Sequence, residues 1–141
     1  MDNSSSGILK ESKTIAIIGL SDNPERISYQ VAKYLKDHGF KIIPINPNIN
    51  ETLGEKAYSD LLSIPNDIKI DIVDIFRKSD QVMMHIKEII KRGDIKLVWL
   101  EVGASSKEAE QFARDHGLNV VSNFCIMEVH KKIQSNSKKN E

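Results

Sequence analysis

Apolar and polar positions alternate in blocks along this chain, and each block predicts an element. Thr14-Ile-Ala-Ile-Ile-Gly19 is a short β-branched run ending in glycine, the pattern of a strand buried on both faces. Val31, Tyr34, Leu35 and His38 follow at helical spacing, Gly39 ends that segment, and Ser28 is placed to cap it. Lys41-Ile-Ile-Pro-Ile45 predicts a second strand, and 46–65 a loop-rich stretch with a short helix at Ser59 to Ser63. Ile70-Asp-Ile-Val-Asp-Ile-Phe76 predicts a third strand, whose alternating acids suggest a more exposed, edge-like position. Val82, Ile86, Ile89 and Ile90 mark one face of a helix, and Ile95-Lys-Leu-Val-Trp-Leu100 a fourth strand. Ala109, Phe112 and Ala113 mark the next helix, Leu118-Asn-Val-Val121 the fifth strand, and Ile126 to Ile133 a last helix.

Three of the helices end alike, in Asp37-His-Gly39, Lys91-Arg-Gly93 and Asp115-His-Gly117. Glycine suits the left-handed residue just past a helix end, and a cation beside it favours the negative end of the helix dipole. His38 and His116 are therefore caps before they are candidate catalysts. A strand–helix–strand repeat of this kind predicts an α/β fold: one Rossmann-like domain with a five-stranded parallel sheet and helices on both faces. The domain is expected over 13–133, between a polar N-terminal extension, 1–12, whose residues 2–7 look mobile, and a frayed polar C-terminal tail, 134–141.

Composition narrows the function classes. The 141 residues fit one domain and need no metal or disulfide to fold. The 20 Lys and Arg balance 20 Asp and Glu, which removes the general electrostatic case for nucleic acid or an anionic membrane. No apolar run reaches the roughly 20 residues of a membrane helix, and 1–12 lack a signal-peptide core. With a single cysteine, Cys125, a cytoplasmic setting is expected. Four scattered His and one Cys form no metal-ligand pair.

In parallel sheets, ligands bind beyond the carboxyl ends of the strands, where strand order reverses. The five loops at those ends begin at Gly19, Asn46, Phe76, Glu101 and Ser122. The first runs Gly19-Leu-Ser-Asp-Asn-Pro-Glu-Arg-Ile-Ser28. Its glycine allows a sharp turn, and the following helix offers free N–H groups to phosphate. Ser21, Asn23 and Ser28 can donate hydrogen bonds, and Arg26 adds a charge. The dinucleotide pattern G-x-G-x-x-G fails here, because Ser21 and Pro24 replace its later glycines, and no Walker A pattern occurs. Asn46 stands where an NAD enzyme usually carries an acid. Arg77 and Lys78 follow the third strand, with Ser79 or Asp80 as a cap for the next helix. Glu101, Val102 and Gly103 follow the fourth, Glu101 either accepting from a ligand or capping the next helix. Cys125 is read as a buried, inert thiol, and His85 and His130 as residues of helix surfaces or packing faces.

Four motifs in this order resemble the small, stand-alone CoA-binding proteins of bacteria and archaea. They are Ile17-Ile-Gly-Leu-Ser-Asp-Asn-Pro24 with Ser28-Tyr29, Ile43-Pro-Ile-Asn-Pro47, Asp71-Ile-Val-Asp-Ile-Phe-Arg77 and Val98-Trp-Leu-Glu-Val-Gly103. A shorter match joins Cys125 and Ile126 to Glu128 and His130. That family is similar to the N-terminal domain of the succinyl-CoA synthetase α-subunit. The resemblance implies coenzyme A (CoA), or an acyl-CoA, held across the switch point. Gly19, Ser21 and Asn23 would meet the phosphates, with Arg26 near the charged nucleotide end. Asn46 and Pro47 would flank the adenosine, while Phe76, Arg77 and Glu101 to Gly103 would line the middle of the groove. Two departures are visible: Arg26-Ile27 replaces a common Arg-Pro, and Glu101 replaces a common Gln, placing a negative charge near an anionic ligand.

CoA ligases also need a domain with a phosphorylated His and a nucleotide-grasp domain, and 141 residues have room for neither. The expectation is therefore a CoA-binding carrier or sensing module without catalysis of its own, with a protein partner or a homo-oligomer left open. An NAD(P)-dependent enzyme on the same fold is the first alternative. A receiver-type signalling domain, with Asp74 as phosphoacceptor, is the second, although the acidic pair needed after the first strand is reduced to Asp22.

Overall fold

The computed structural model describes residues 3–139. Seven strands and five helices follow one another as α1 (Asn3–Glu11), β1 (Thr14–Ile18), α2 (Ile27–Asp37), β2 (Lys41–Ile45), β3 (Glu51–Thr52), β4 (Glu55–Lys56), β5 (Ile72–Ile75), α3 (Val82–Arg92), β6 (Leu97–Leu100), α4 (Lys107–Asp115), β7 (Asn119–Ser122) and α5 (Ile126–Lys139). Five strands form one sheet in the order β2-β1-β5-β6-β7, every pair parallel. This is the expected Rossmann-like α/β architecture. Strand order reverses between β1 and β5, so the crevice that such sheets reserve for ligands lies there.

The sheet is buried on both faces, which is why its strands are apolar runs rather than alternations. Ile15, Ile17, Ile42, Ile72, Leu97 and Trp99 face α1, α2 and α5. Ala16, Ile18, Ile43, Ile45, Val73, Ile75, Val98 and Leu100 face α3 and α4. Each helix turns one apolar stripe inward: Val31, Ala32 and Leu35 on α2, Val82, Ile86 and Ile89 on α3, and Ala109 and Ala113 on α4. Gly39, Gly93 and Gly117 all have left-handed φ, at 93°, 83° and 84°, as the three helix endings require.

Several expectations need correction. The third strand, β5, is central rather than edge-like: it lies between β1 and β6, and its Asp74 is wholly buried. Alternating acids signal exposure only when each acid meets water. Here Asp71 turns to the amino end of β1 and accepts the N–H groups of Lys13 and Thr14, at 2.9 and 3.1 Å, while Asp74 points into the packed layer. Residues 3–7, expected to be mobile, instead open α1, whose Leu9 is fully buried against the α2/α5 face of the sheet. Residues 1 and 2 lie outside the described residues. The polar tail expected from 134 continues α5 to Lys139, with 140 and 141 outside the described residues. Ser28 does not cap α2. It sits inside the first turn, and Arg26 holds the cap position with no side-chain hydrogen bond. Neither Ser79 nor Asp80 caps α3; they belong to a single 3-10 turn, Ser79–Gln81, that leads into it.

Candidate functional site at the strand switch point

Gly19 ends β1 with φ at 85°, and its N–H donates to the Ile45 carbonyl, 2.9 Å away. On its other side Phe76 N–H donates to the Ile18 carbonyl at 2.9 Å. The carboxyl ends of β2, β1 and β5 are thus clamped together at one level. A Cβ on residue 19 would stand 2.2 Å from the Phe76 carbonyl oxygen, so glycine alone fits this joint.

The loop that follows braces itself with its polar side chains. Ser28 Oγ accepts Ser21 N–H at 3.1 Å, Ser21 Oγ accepts Asn23 N–H at 3.0 Å, and Asn23 Oδ1 accepts Glu25 N–H at 3.0 Å. From the β2 side, Asn46 Nδ2 donates to the Leu20 carbonyl at 3.0 Å and Thr52 Oγ1 to the Ser21 carbonyl at 3.3 Å. Sequence reasoning assigned Ser21, Asn23, Ser28 and Asn46 to a ligand. Their acceptor atoms instead shape the loop, and each serine that accepts keeps its hydroxyl hydrogen for another partner. Because no side chain caps α2, its first-turn N–H groups remain available to an anion.

Two hollows of about 490 and 580 Å³ share Gly19, Arg26, Asn46 and Phe76, and together they form one groove over the switch point. Pro47 and Arg77 line the first, and Ser21 and Ser28 the second. Of the sequence candidates, Asn23, Glu101, Val102 and Gly103 lie outside both linings. Val102 is exposed on the rim, whereas Glu101 is tucked under it, 3% exposed. Glu101 caps α5: its two oxygens accept the Ile126 N–H at 3.4 and 3.2 Å. Burial raises its pKa from the ordinary carboxylate range to about 7.

Sequence reasoning missed the wall that α3 supplies. Gln81, Met84, His85 and Glu88 line the first hollow, which Lys78, Ser59 and Asp60 also line. Positions 81, 84, 85 and 88 share one helix face. That spacing, on a helix starting at the rim, was the signal available. Burial first, and Arg77 second, push the His85 pKa down to about 4. Burial raises Glu88, with Asp60 adding to it.

The remaining candidates fall elsewhere. Trp99 is core, its Nε1 donating to the Phe124 carbonyl at 2.8 Å. Burial raises the Cys125 thiol above its ordinary pKa. His130 closes the α2/α5 contact, its Nδ1 2.7 Å from the Tyr34 hydroxyl. The complete burial of Asp74 leaves a phosphoryl donor no approach to its carboxyl group, which removes the basis for the receiver alternative. No group of three or more potential metal ligands occurs among the described residues, and no helix among them is long and apolar enough to cross a membrane.

A parallel α/β sheet with a glycine joint, an uncapped helix start and cations around one switch-point groove is the arrangement of a nucleotide-type binding domain. The chain belongs to a family described as a CoA binding domain, whose profile matches residues 13–131. It is 42% identical over 123 residues to the uncharacterized protein YneT of Bacillus subtilis (strain 168), covering 87% of this chain and 89% of that one. It is 28% identical over 131 residues to the α-subunit of an ADP-forming acetate–CoA ligase II from Pyrococcus furiosus, and there it spans 29% of the relative's length. Among solved structures, a hypothetical protein from Pyrococcus horikoshii OT3 superposes with a TM-score of 0.87 at 39% identity, covering 94% of this chain and 91% of that one.

Proposed function

We propose that this protein binds CoA or an acyl-CoA in the groove over the β1/β5 switch point, and that it holds the ligand for sensing or delivery without catalysing a reaction by itself. The observation that carries this reading is the joint at Gly19, where an uncapped helix start and Arg26 face an open groove. In this reading the diphosphate lies against the 19–26 loop and the α2 N-terminus. Asn46 and Pro47 flank the adenosine, and Phe76 leads the ligand on toward the rim at Val102 and Gly103.

The non-catalytic part of the proposal has its own support. The thiol of Cys125 is held protonated by burial, which withholds the nucleophilic form. The match spans 29% of the ligase α-subunit, so ligase chemistry would need parts beyond the described residues. NAD(P) is disfavoured because Asn46, at the end of β2, is engaged with the loop backbone and brings no carboxylate for a ribose.

Isothermal titration with CoA should show 1:1 binding, and NADH should not displace it. A ligand present at a hundred times its Kd would stabilise the fold by about 2.7 kcal/mol, visible as a raised thermal midpoint. No heat and no thermal shift at millimolar CoA would refute the proposal.

A further inference from the structure

Two nitrogens beside the groove, one from the β5–α3 loop and one from α3, have no partners in the fold. Nε of Arg77 and Nε2 of His85 are both buried, and neither makes a hydrogen bond. Both residues line the first hollow of the groove, and His85 is only 9% exposed. Buried polar atoms are as a rule satisfied, so two orphans on residues that line the same hollow point to a ligand group that completes them.

The chemistry of that group follows from the nitrogens. Arg77 Nε always carries a proton and can only donate. His85 Nδ1 stands 3.4 Å from Glu88 Oε1. A carboxylate there favours the tautomer with its hydrogen on Nδ1, leaving a bare lone pair at Nε2. An oxyanion cannot approach a lone pair, but it can accept from Nε2 once that atom is protonated. Protonated, the ring lies between the Glu88 carboxylate and the incoming anion, and it adds a positive charge beside Arg77. Lys78 lines the same hollow and strengthens its preference for a doubly charged group.

We infer that Arg77 and His85 form a subsite for a phosphate monoester, and that His85 takes up a proton at Nε2 as this group enters. The inference rests on the groove being a CoA site. Within CoA the 3′-phosphate is the one monoester, the two phosphates at the 19–26 loop being a diester-like bridge. The proton comes from solvent, and no bond other than N–H is made. The groups that set the titration are Arg77 and Lys78 from the β5–α3 loop, Glu88 from α3 itself, and Asp60, whose charge acts on Glu88. In the empty groove, burial and Arg77 keep His85 neutral at pH 7. A dianion in contact with it reverses that balance.

The test is calorimetric titration of the full chain at pH 7 with CoA and with dephospho-CoA, each in two buffers of different ionisation enthalpy. CoA should bind at least about tenfold more tightly than dephospho-CoA and draw between half and one proton from the buffer, while dephospho-CoA draws none. His85→Gln should abolish the proton uptake and bring the two affinities together. If that variant fails to fold, the wild-type proton count still decides the matter. Equal affinities for the two ligands, or binding of CoA without proton uptake, would overturn this subsite while leaving the CoA proposal intact. Absence of heat from both ligands would overturn both.

Discussion

Asp74→Asn is expected to stabilise the protein, by roughly 2–3 kcal/mol at pH 8 and by less than about 1 kcal/mol at pH 4.5. Asp74 lies in the central strand, paired in register with Ile17 and Trp99, and neither of its carboxyl oxygens has a hydrogen-bond partner. Burial, then the neighbouring charge of Glu101, holds its pKa well above the ordinary aspartate value. Of the two acids, Glu101 is the one that ionises first, near 7, because the neighbouring Asp74 and then the Ile126 N–H support its charged form.

Both pKa values are raised on folding, so between about pH 4.5 and 7 the native state binds more protons than the unfolded one. Stability contributed by the pair is therefore intact below the unfolded carboxylate range and lost as pH rises through Glu101's folded value of about 7. For Glu101 the span from 4.5 to about 7 corresponds to about 3 kcal/mol at most. Asparagine at position 74 removes the second acid and offers Glu101 an amide donor. His85 and His130, both lowered by burial, work in the opposite sense, costing stability as pH falls below about 6.5. The diagnostic quantity is therefore the difference between variant and wild type, measured as thermal midpoints from pH 4.5 to 9. A gain that grows with pH, reaching about 5–10 °C, is the expected result. A difference that is flat with pH, or a variant less stable throughout, would show that the pair is not a buried acid couple.

Gly19→Ala is expected to cost about 3 kcal/mol or more in urea unfolding and to remove ligand binding. The left-handed φ of 85° alone costs a side chain about 1–2 kcal/mol. The larger part is the overlap with the Phe76 carbonyl carbon and oxygen, at 3.2 and 2.2 Å. Backbone can yield there only by spreading β1 from β5, the joint on which the groove is built. Gly117→Ala provides the control: its φ of 84° is equally left-handed, but a Cβ there meets nothing within 4 Å. That variant should lose about 1 kcal/mol and bind CoA as the wild type does. Equal behaviour of the two variants would mean that Gly19 is only a turn.

The βα repeat was legible because each strand is a two-sided apolar run and three helices stop at a left-handed glycine. Both signals are local, and both survive in the structure. What escaped depends on long-range placement. The acids of β5 suggested water, yet Asp74 meets Glu101, and nothing in the local pattern can announce that two acids from different strands share a buried corner. The serine-rich start hid α1, whose docking depends on Leu9 finding the sheet face near β7. The hairpin of β3 and β4 has two residues in each strand, too few for any periodicity. Within the site, Gly19, Arg26, Asn46, Pro47, Phe76 and Arg77 could be anticipated, since strand ends in a parallel sheet converge by topology. His85 and Glu88 could not be taken from the loops, because they reach the groove from the second turn of a helix. Glu101 was placed correctly at the rim, but its side chain serves α5.

The central claim is that CoA occupies the carboxyl-end groove, and backbone hydrogen exchange measured with and without CoA tests it most directly. Exchange should slow across 19–26 and 76–81, and it should be unchanged around the separate hollow at the amino ends of the strands, lined by Lys69, Lys91, Arg92 and Asp94. Protection confined to that separate hollow, with the 19–26 loop exchanging as before, would contradict the account.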